Sequence, residues 1–253
     1  TITSDERSLV VPTLLQGNRS MKIDVNAWGS MVFQLFEDRA PRPTGRVIEL
    51  AQDDFYDGII FHRVIKDFVI QGGDPTGTGT GGSTLGDFDD QFHVDLQHNR
   101  EGLLSYAKST DDTNDSQFFV TLGATRHLDF NHSIFGILTE GSHVLEAIGN
   151  TATTTGDRPT QDIVIDTVNI FSDVENGVAM LKAAEGASGQ ANITVTVTDA
   201  QGHSVQDTFK VTVKPDTTAN GGANGGPFLQ DIPPLTTPAG TPVNLQLTAV
   251  DVE

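Results

Sequence analysis

The chain has no cysteine, which excludes disulfide bonds and thiol chemistry. Tryptophan is nearly absent, since Trp28 is the single copy, and basic residues are scarce. Lysine and arginine number 15 against 34 aspartates and glutamates, so the formal net charge is −19. An acidic surface repels nucleic acid backbones and anionic membranes, and we expect neither as a partner. No apolar run approaches the ~20 residues of a membrane span, so we expect no membrane insertion.

The chain does contain enough apolar material for a packed core. Apolar residues make up 36% of its 253 positions and charged residues 19%, which argues against wholesale disorder. The length suits one full domain plus part of another. The lack of cysteine leaves the cellular compartment open, because many exported proteins also lack it.

Metal and cofactor sites leave little trace in the sequence. The 7 histidines show no spacing typical of zinc ligands, and we expect neither a resident metal nor a cofactor. Two acidic runs, at 87–90 and 111–115, offer oxygen ligands for calcium. Neither run has the glycine and the terminal glutamate of a calcium loop. Solvated acidic loops are therefore the preferred interpretation, and calcium is the alternative.

Hydrophobic periodicity predicts strands with two helices at separated positions. Alternation of apolar and polar residues over 21–25 and 31–36 predicts a hairpin. A helix opened by proline is predicted over about 41–53, and a second helix over 143–148. Alternation over 163–171 predicts a strand that closes a sheet.

The segment from Phe61 to Asp74 carries an arginine inside an apolar, strand-like run that ends in glycines. Side chains alternate between faces in an extended chain, so Arg63, Ile65 and Asp67 share one face. An arginine in such a strand is either paired with a carboxylate, for example that of Asp67, or directed into a cleft. The residues alone leave both interpretations open.

Further blocks lie around this run in a fixed order. They are Tyr56-Asp57-Gly58, Gly79-Thr80-Gly81-Gly82, Gly102 to Ala107, Asn114 to Phe119, and Leu128 to Gly136. Together the blocks resemble the cyclophilin family of peptidyl-prolyl cis-trans isomerases over roughly residues 20–171. The resemblance implies a mainly β fold, a closed eight-stranded antiparallel barrel with two helices.

The resemblance also implies an activity, the rotation of X–Pro peptide bonds in proline-containing peptides and unfolded proteins. The barrier of about 18–20 kcal/mol comes from the double-bond character of the amide. A catalyst needs a donor near the prolyl nitrogen, an apolar slot for the ring, and contacts that hold one side of the bond. It needs no base, nucleophile or metal.

The family positions assign catalysis to Arg63, Gln71, Phe119 and His132. They assign substrate binding to Phe68, Val69, Ala107, Lys108, Ser109, Gln117, His127, Leu128, Gly79 and Thr80. Arg63 is the donor, because a guanidinium stays charged at any working pH. Gln71 and Gln117 orient it, and the backbone of 107–109 pairs with substrate like an added strand. As isolated residues, the phenylalanines would be read as core and the glutamines as surface.

Four positions depart from the family pattern. Val69 replaces methionine, which makes the slot less adaptable, while Lys108 and Ser109 replace asparagine and alanine. His127 stands where many members carry the tryptophan that binds cyclosporin. An imidazole offers less apolar area than an indole, so we predict weak inhibition by cyclosporin with the isomerase activity retained.

The rest of the chain predicts further β structure. Strands rich in valine and threonine after residue 172 resemble an immunoglobulin-like or cadherin-like sandwich of bacterial surface proteins, but they are too few for a complete one. The apolar leader could supply missing strands. The predicted organisation is the leader at 1–19, the isomerase at 20–171, the partial module at 172–214, a flexible linker at 215–227, and the start of a further β module at 228–253.

Two functions are carried forward. The first is a folding helper in a secreted, periplasmic or cell-surface bacterial protein, with the cytoplasm less favoured. The alternative is a catalytically weak module that binds proline-containing segments and serves adhesion or spacing. The client protein, the preferred residue before proline and the oligomeric state are left open by the sequence.

Overall fold

The computed structural model describes residues 1–15, 17–173, 177–184, 187–214, 228–229 and 249–250. The chain divides into two compact units. One unit consists of Thr1–Asn18 with Ser172–Gly222, and the other of Arg19–Phe171 with Ala223–Glu253. Across the described residues, no helix combines the length and the apolar character needed to cross a membrane.

The described residues form strands, two α-helices and one 3-10 turn. In chain order the strands are β1 (Ile2–Ser4), β2 (Val10–Leu14), β3 (Ser20–Val25), β4 (Gly29–Leu35), β5 (Arg63–Ile65), β6 (Val69–Gly72), β7 (Leu103–Tyr106), β8 (Phe118–Thr121), β9 (Ile134–Glu140), β10 (Ile165–Phe171), β11 (Ala179–Ala183), β12 (Gly189–Thr198), β13 (Ser204–Val213), β14 (Phe228–Leu229) and β15 (Ala249–Val250). The helices are α1 (Pro41–Gln52) and α2 (Ser142–Gly149), and the 3-10 turn covers Arg126–Leu128. The mainly β class with two helices is therefore confirmed.

Eight strands of the Arg19–Phe171 unit form one curled antiparallel sheet, in the order β10-β3-β4-β9-β7-β8-β6-β5. An isolated bridge between Ile60 and Val164 joins the chain beside the two edge strands. The backbone N–H of Phe61 also donates to the carbonyl of Ile163. A curled eight-stranded antiparallel sheet is therefore confirmed, and its two edges are joined by short contacts and not by the full ladder of a closed barrel.

The first helix forms where the sequence predicts it. Pro41 and Pro43 lie in its first turn, where a missing N–H leaves no intrahelical bond unmade. Val47, Ile48 and Ala51 are buried along one side, so the apolar stripe packs against the core.

Strand register aligns the residues that matter for the site. Arg63 of β5 lies opposite Gln71 of β6, and Gln71 lies opposite Phe119 of β8. Phe119 in turn lies opposite Ser105 of β7. Directly opposed residues of antiparallel strands point to the same face, so these side chains form one row across four strands. The adjacent row points to the other face and lies in the hydrophobic core: Val64, Ile70, Val120 and Leu104.

The other unit is built from the chain on both sides of Arg19–Phe171. Strand β1 pairs with β12, which pairs with β13, and β2 pairs with β11. Leu9 and Val10 from the leader are buried with Ala191 and Ile193. The leader therefore pairs with strands after residue 172, which is the pairing needed for it to supply missing strands. The immunoglobulin-like or cadherin-like character of this unit stays a prediction.

Two predictions fall mainly outside the described residues. The flexible linker at 215–227 lies outside them entirely. Of the further β module predicted at 228–253, the described part is the short pair of β14 and β15.

Candidate active site

A chain of hydrogen bonds runs from Arg63 along the row of site residues. Arg63 Nη1 donates to Gln71 Oε1 at 3.4 Å. Gln71 Nε2 donates to Gln117 Oε1 at 3.0 Å, and Gln117 Nε2 donates to the carbonyl of Gly81 at 2.8 Å. Each amide therefore has its orientation fixed by its neighbour, and the two glutamines hold the guanidinium in place.

Arg63 also has a carboxylate neighbour, which is not Asp67 but a residue of a distant turn. Its Nε lies 3.6 Å from Oδ2 of Asp157, and the two side chains are 41% and 43% exposed. An exposed pair at that distance contributes at most about 1 kcal/mol, so the guanidinium is not locked away from substrate. Asp157 lies in a turn far along the chain, and no local pattern marks it as a partner of Arg63.

Aromatic rings beside Arg63 form an apolar wall. Phe119 is buried, and its ring contacts the ring of His132 edge-on at a centroid distance of 5.5 Å. Phe68, half-buried in the turn between β5 and β6, stacks on exposed His127 at 5.5 Å. Leu128 ends the 3-10 turn and is half-buried. The expected pocket residues therefore come from two loops and one strand.

Val69 differs from these neighbours. It is 3% exposed and pairs across strands with Ile65 and Thr121. Val69 therefore lies on the same face of the sheet as Gln71, two residues further along β6, and is almost fully buried there.

His132 is held by the main chain of β7. Its Nδ1 lies 2.9 Å from the carbonyl of Tyr106, which can only accept, so Nδ1 carries the proton. Burial lowers the pKa of His132, an effect that the Tyr106 bond opposes. The ring is therefore neutral at neutral pH, as expected for a pocket wall.

A second histidine, not predicted as a site residue, supports the pocket from behind. His98 is fully buried, and its Nδ1 donates to Oδ1 of Asp129 at 3.2 Å. Its Nε2 accepts from Ser105 Oγ at 3.1 Å, and its ring stacks on Phe119 at 6.0 Å. Burial lowers the pKa of His98 despite the adjacent carboxylate. No spacing in the sequence joins His98 to Phe119, which is why it was missed.

The segment expected to pair with substrate follows β7. The N–H of Ala107 donates to the carbonyl of Gln117 at 2.9 Å. The exposed Ser109 is held through Thr113, whose hydroxyl accepts from the Ser109 N–H at 3.3 Å. The Lys108 side chain is only 4% exposed and forms an ion pair with Asp90. The side chain of Lys108 is therefore not available to substrate, and the segment has only its main chain to offer at this position.

Asp90 connects several segments of the site. Besides Lys108, it accepts hydrogen bonds from Asn114 Nδ2 at 2.8 Å and from Ser133 Oγ at 3.4 Å. Burial raises the pKa of Asp90, but the bonds from Lys108 and Asn114 outweigh it and lower the pKa. Asp90 thus ties the 107–109 segment to the residue next to His132.

The acidic loops do meet in space, but a side-chain cation lies among them. Oxygen atoms of Asp90, Asp111 and Asp112 lie within 4.8 Å of one another, in the part of the chain that the structure describes. The Lys108 ammonium contacts Asp90 and lies 3.4 Å from Asp111. It supplies the positive charge that calcium would bring, so the alternative of a calcium site gains no support here.

The glycine-rich loop is organised by one buried carboxylate. Asp74 is 1% exposed and accepts hydrogen bonds from the backbone N–H groups of Thr76, Thr78, Gly79 and Gly81. Although burial alone raises the pKa of Asp74, these bonds hold it well below the usual range. Gly79 and Thr80 are exposed on this loop. Asp74 ends the Phe61–Asp74 segment, where no local pattern indicates that its carboxylate organises the following loop.

The arrangement suits rotation of an amide better than bond cleavage. A partly exposed guanidinium lies in register with a buried aromatic ring, and a neutral imidazole flanks that ring. A cavity of about 430 Å³ opens beside Arg63 and Gln71. A fixed donor next to an apolar wall can stabilise a lone pair on a twisted prolyl nitrogen.

Comparison with protein families gives a match over most of this unit. The family model described as "Cyclophilin type peptidyl-prolyl cis-trans isomerase/CLD" matches residues 20–170. Peptidyl-prolyl cis-trans isomerase ppi1 of Schizosaccharomyces pombe is 48% identical over 139 residues, which is 54% of this chain and 90% of the relative. Peptidyl-prolyl cis-trans isomerase A of Mycobacterium tuberculosis is 44% identical over 159 residues, 56% of this chain and 87% of the relative.

Solved structures agree with the sequence relatives. A cyclophilin-type peptidyl-prolyl cis-trans isomerase of Cryptosporidium parvum superposes with a TM-score of 0.60 at 36% identity, covering 62% of this chain and 99% of that one. A second structure of that protein, determined in the presence of the dipeptide Ala-Pro, gives a TM-score of 0.59 at 35% identity, covering 61% and 99%. The part of this chain that superposes on these structures is about as long as the segment Arg19–Phe171, which carries Arg63.

Proposed function

Because the chain belongs to the cyclophilin family and is a peptidyl-prolyl cis-trans isomerase, we propose that Arg63 is the donor that stabilises its rotating X–Pro bond. Rotation removes amide resonance and leaves a lone pair on the prolyl nitrogen. A guanidinium next to that nitrogen donates a hydrogen bond that is stronger in the twisted state than in the planar one. Only such a difference lowers the barrier.

In this proposal the surrounding residues bind the proline ring, orient the guanidinium and hold the peptide backbone. Phe119 and His132 grip the proline ring, with Phe68 and Leu128 at the rim. Gln71 and Gln117 fix the guanidinium, and the backbone of 107–109 holds the peptide on one side of the rotating bond. The observation that carries the proposal is the row of Arg63, Gln71 and Phe119 across adjacent strands, with the guanidinium 41% exposed.

A protease-coupled assay on a short X–Pro peptide tests the role of Arg63. Arg63→Ala is expected to lower kcat/KM by about 100- to 1,000-fold, the range for loss of one preorganised donor. Asp157→Asn is the matched control, because it removes the carboxylate beside Arg63 and keeps the donor. Equal rates for Arg63→Ala and the unchanged protein would leave only a proline-binding role.

We propose further that the enzyme is a folding helper within a secreted, periplasmic or surface-attached bacterial protein. The support is the second β-rich unit, which the chain builds from segments on both sides of the isomerase. Its valine- and threonine-rich strands suit the extracellular sandwich modules that the sequence resembles. Fractionation of the producing cells checks this, and recovery of the protein only from the cytosol would contradict it.

The rival function is an adhesion or spacing module that retains the proline site for docking. The extra β unit is the observation that favours it. Binding without turnover on proline peptides would select this rival over the folding helper.

A further inference from the structure

A cavity of about 430 Å³ lies beside the proposed catalytic row and is separate from its aromatic wall. It is lined by His62, Arg63, Gln71, Arg158 and the glycine-rich turn at 77–79. Arg63 and Gln71 belong both to the catalytic row and to the lining of this cavity. A peptide whose proline lies against Phe119 therefore brings a flanking residue to this cavity, whose volume suits a side chain.

The charge of the lining is opposite to that of the chain. Two guanidiniums line the cavity, and among the described residues of the lining none carries a carboxylate, although the whole chain has a net charge of −19. Arg158 Nη1 donates to the carbonyl of Gly77 at 2.7 Å, which holds its guanidinium against the glycine turn.

Arg63 and Arg158 each have an acidic neighbour, but both guanidiniums can still bind an anion. Asp157 lies 3.6 Å from Arg63 Nε, and Asp162 accepts from Arg158 Nη2 at 2.8 Å. All four side chains are more than 40% exposed, so these pairs are weak and easily exchanged. Each guanidinium has five N–H donors and uses only some of them.

His62 gives a second, independent indication of a ligand. The residue is 7% exposed, and neither ring nitrogen has a hydrogen-bond partner within the described residues. Burial lowers the pKa of His62, although the nearby Asp74 opposes this. A neutral ring keeps one N–H, and a buried N–H without an acceptor is unfavourable. A ligand that brings an acceptor into the cavity would relieve this.

We propose that this cavity binds a carboxylate of the substrate, the side chain of an aspartate or glutamate next to the isomerised X–Pro pair. Arg158 and Arg63 supply the charge, and His62 supplies a neutral donor. The proposal rests on the proposed function, because it assumes that the proline lies beside Arg63. It predicts that the enzyme prefers acidic sequences around proline despite its own acidity.

Kinetics on matched peptides test the preference. The residue on each side of the X–Pro pair is set in turn to glutamate, glutamine or lysine, and an alanine peptide gives the reference rate. At one flank we expect kcat/KM for glutamate to exceed that for glutamine by about fivefold at low salt, with lysine lowest and the difference reduced by added salt. Equal values for glutamate and glutamine at both flanks would overturn the proposal.

Variants distinguish the effect of the charges in the cavity from the electrostatic potential of the whole protein. Arg158→Gln is expected to abolish the preference for glutamate while the rate on the alanine peptide is kept, and Arg158→Lys is expected to restore part of it. Lys66→Gln removes the same charge from an exposed site outside the lining and should leave the preference intact. A preference reduced equally by Lys66→Gln would contradict a local site.

Binding measured without turnover distinguishes this proposal from the one on Arg63. If the alanine peptide is not isomerised, the catalytic proposal fails, but titration of the glutamate peptide still tests the cavity through the ring ¹⁵N shifts of His62. Ring ¹⁵N chemical shifts of His62 that change on addition of the glutamate peptide, but not of the glutamine peptide, support the site. Unmoved shifts together with equal affinities reject it.

Discussion

Lys108 shows what one departure from the family pattern does at the scale of a residue. Its side chain is 4% exposed and is paired with Asp90, which is 6% exposed. Removing one partner of a buried pair leaves the other charge without compensation in a poorly solvated place. This departure from the family pattern therefore contributes to the stability of the segment that is expected to pair with substrate.

We predict that Lys108→Ala lowers the free energy of unfolding by about 3–5 kcal/mol, because Asp90 is left buried without a cation, with only neutral donors beside it. The double variant with Asp90→Ala should lose less than the sum of the two single changes. Urea unfolding measures both. Lys22→Ala is the matched control, since its pair with Asp24 at 2.8 Å is exposed, with the two side chains 40% and 29% accessible. If both lysine variants lose the same stability, the buried pair has no special role.

His127 determines a second prediction at this scale. It is exposed and stacks on Phe68 at 5.5 Å, so a larger ring in its place would extend the apolar wall. We expect cyclosporin to inhibit the unchanged enzyme weakly. His127→Trp should strengthen inhibition by roughly tenfold, which corresponds to about 1.4 kcal/mol.

Inhibition curves in the isomerase assay check this. His143→Trp, which adds the same ring at an exposed position of α2, should change nothing. Submicromolar inhibition of the unchanged enzyme would contradict the interpretation of His127.

At the scale of elements, the loop at 75–82 depends on a single carboxylate. Asp74 gathers backbone N–H groups from this loop, and the Gly81 carbonyl in turn accepts from Gln117. The loop is thereby connected through Gln117 to Gln71 and Arg63. A substitution at Asp74 should therefore affect both the stability of the fold and the position of the Arg63 guanidinium.

We predict that Asp74→Asn lowers stability at neutral pH by about 1–3 kcal/mol, because charge-assisted bonds to the loop are weakened. The pKa of Asp74 is lower in the folded protein than the value of about 3.9 in an unfolded chain. Its stabilisation is therefore complete above that pH and is lost as the pH falls towards the folded pKa. Unfolding of both proteins from neutral to acidic pH should show the difference shrinking below about pH 4. Asp87→Asn, at an exposed position in the following loop, should show no such difference.

The elements themselves were largely predictable, and the contacts between them were not. Prolines at the start of α1 and the alternation in β3 and β4 are local signals, and both gave the right element within a few residues. The resemblance predicts that Arg63, Gln71 and Phe119 lie at one site, and the strand register explains how their side chains align. Asp157, His98 and Asp90 act through partners far away in sequence, and periodicity carries no information about such pairs.

At the scale of the whole molecule, the chain leaves one unit, forms another and returns to the first. The sequence offered a hint in a leader with too many apolar residues for a free tail. Burial explains those residues, because Leu9 is 9% and Val10 1% exposed within the cluster that contains Ile193. Composition alone could not say which later strands they would join.

The last prediction separates the two units by a single substitution. Val10→Asp places a charge among buried apolar residues and should abolish amide hydrogen-exchange protection in β12, because Val10 is 1% exposed. Val11→Asp is the matched control, since the adjacent residue in β2 is 47% exposed and should tolerate the charge. Neither variant should change kcat/KM on an X–Pro peptide, because no residue of the Arg63 row belongs to that unit. Loss of isomerase activity in Val10→Asp alone would show that the proline site needs the second unit intact.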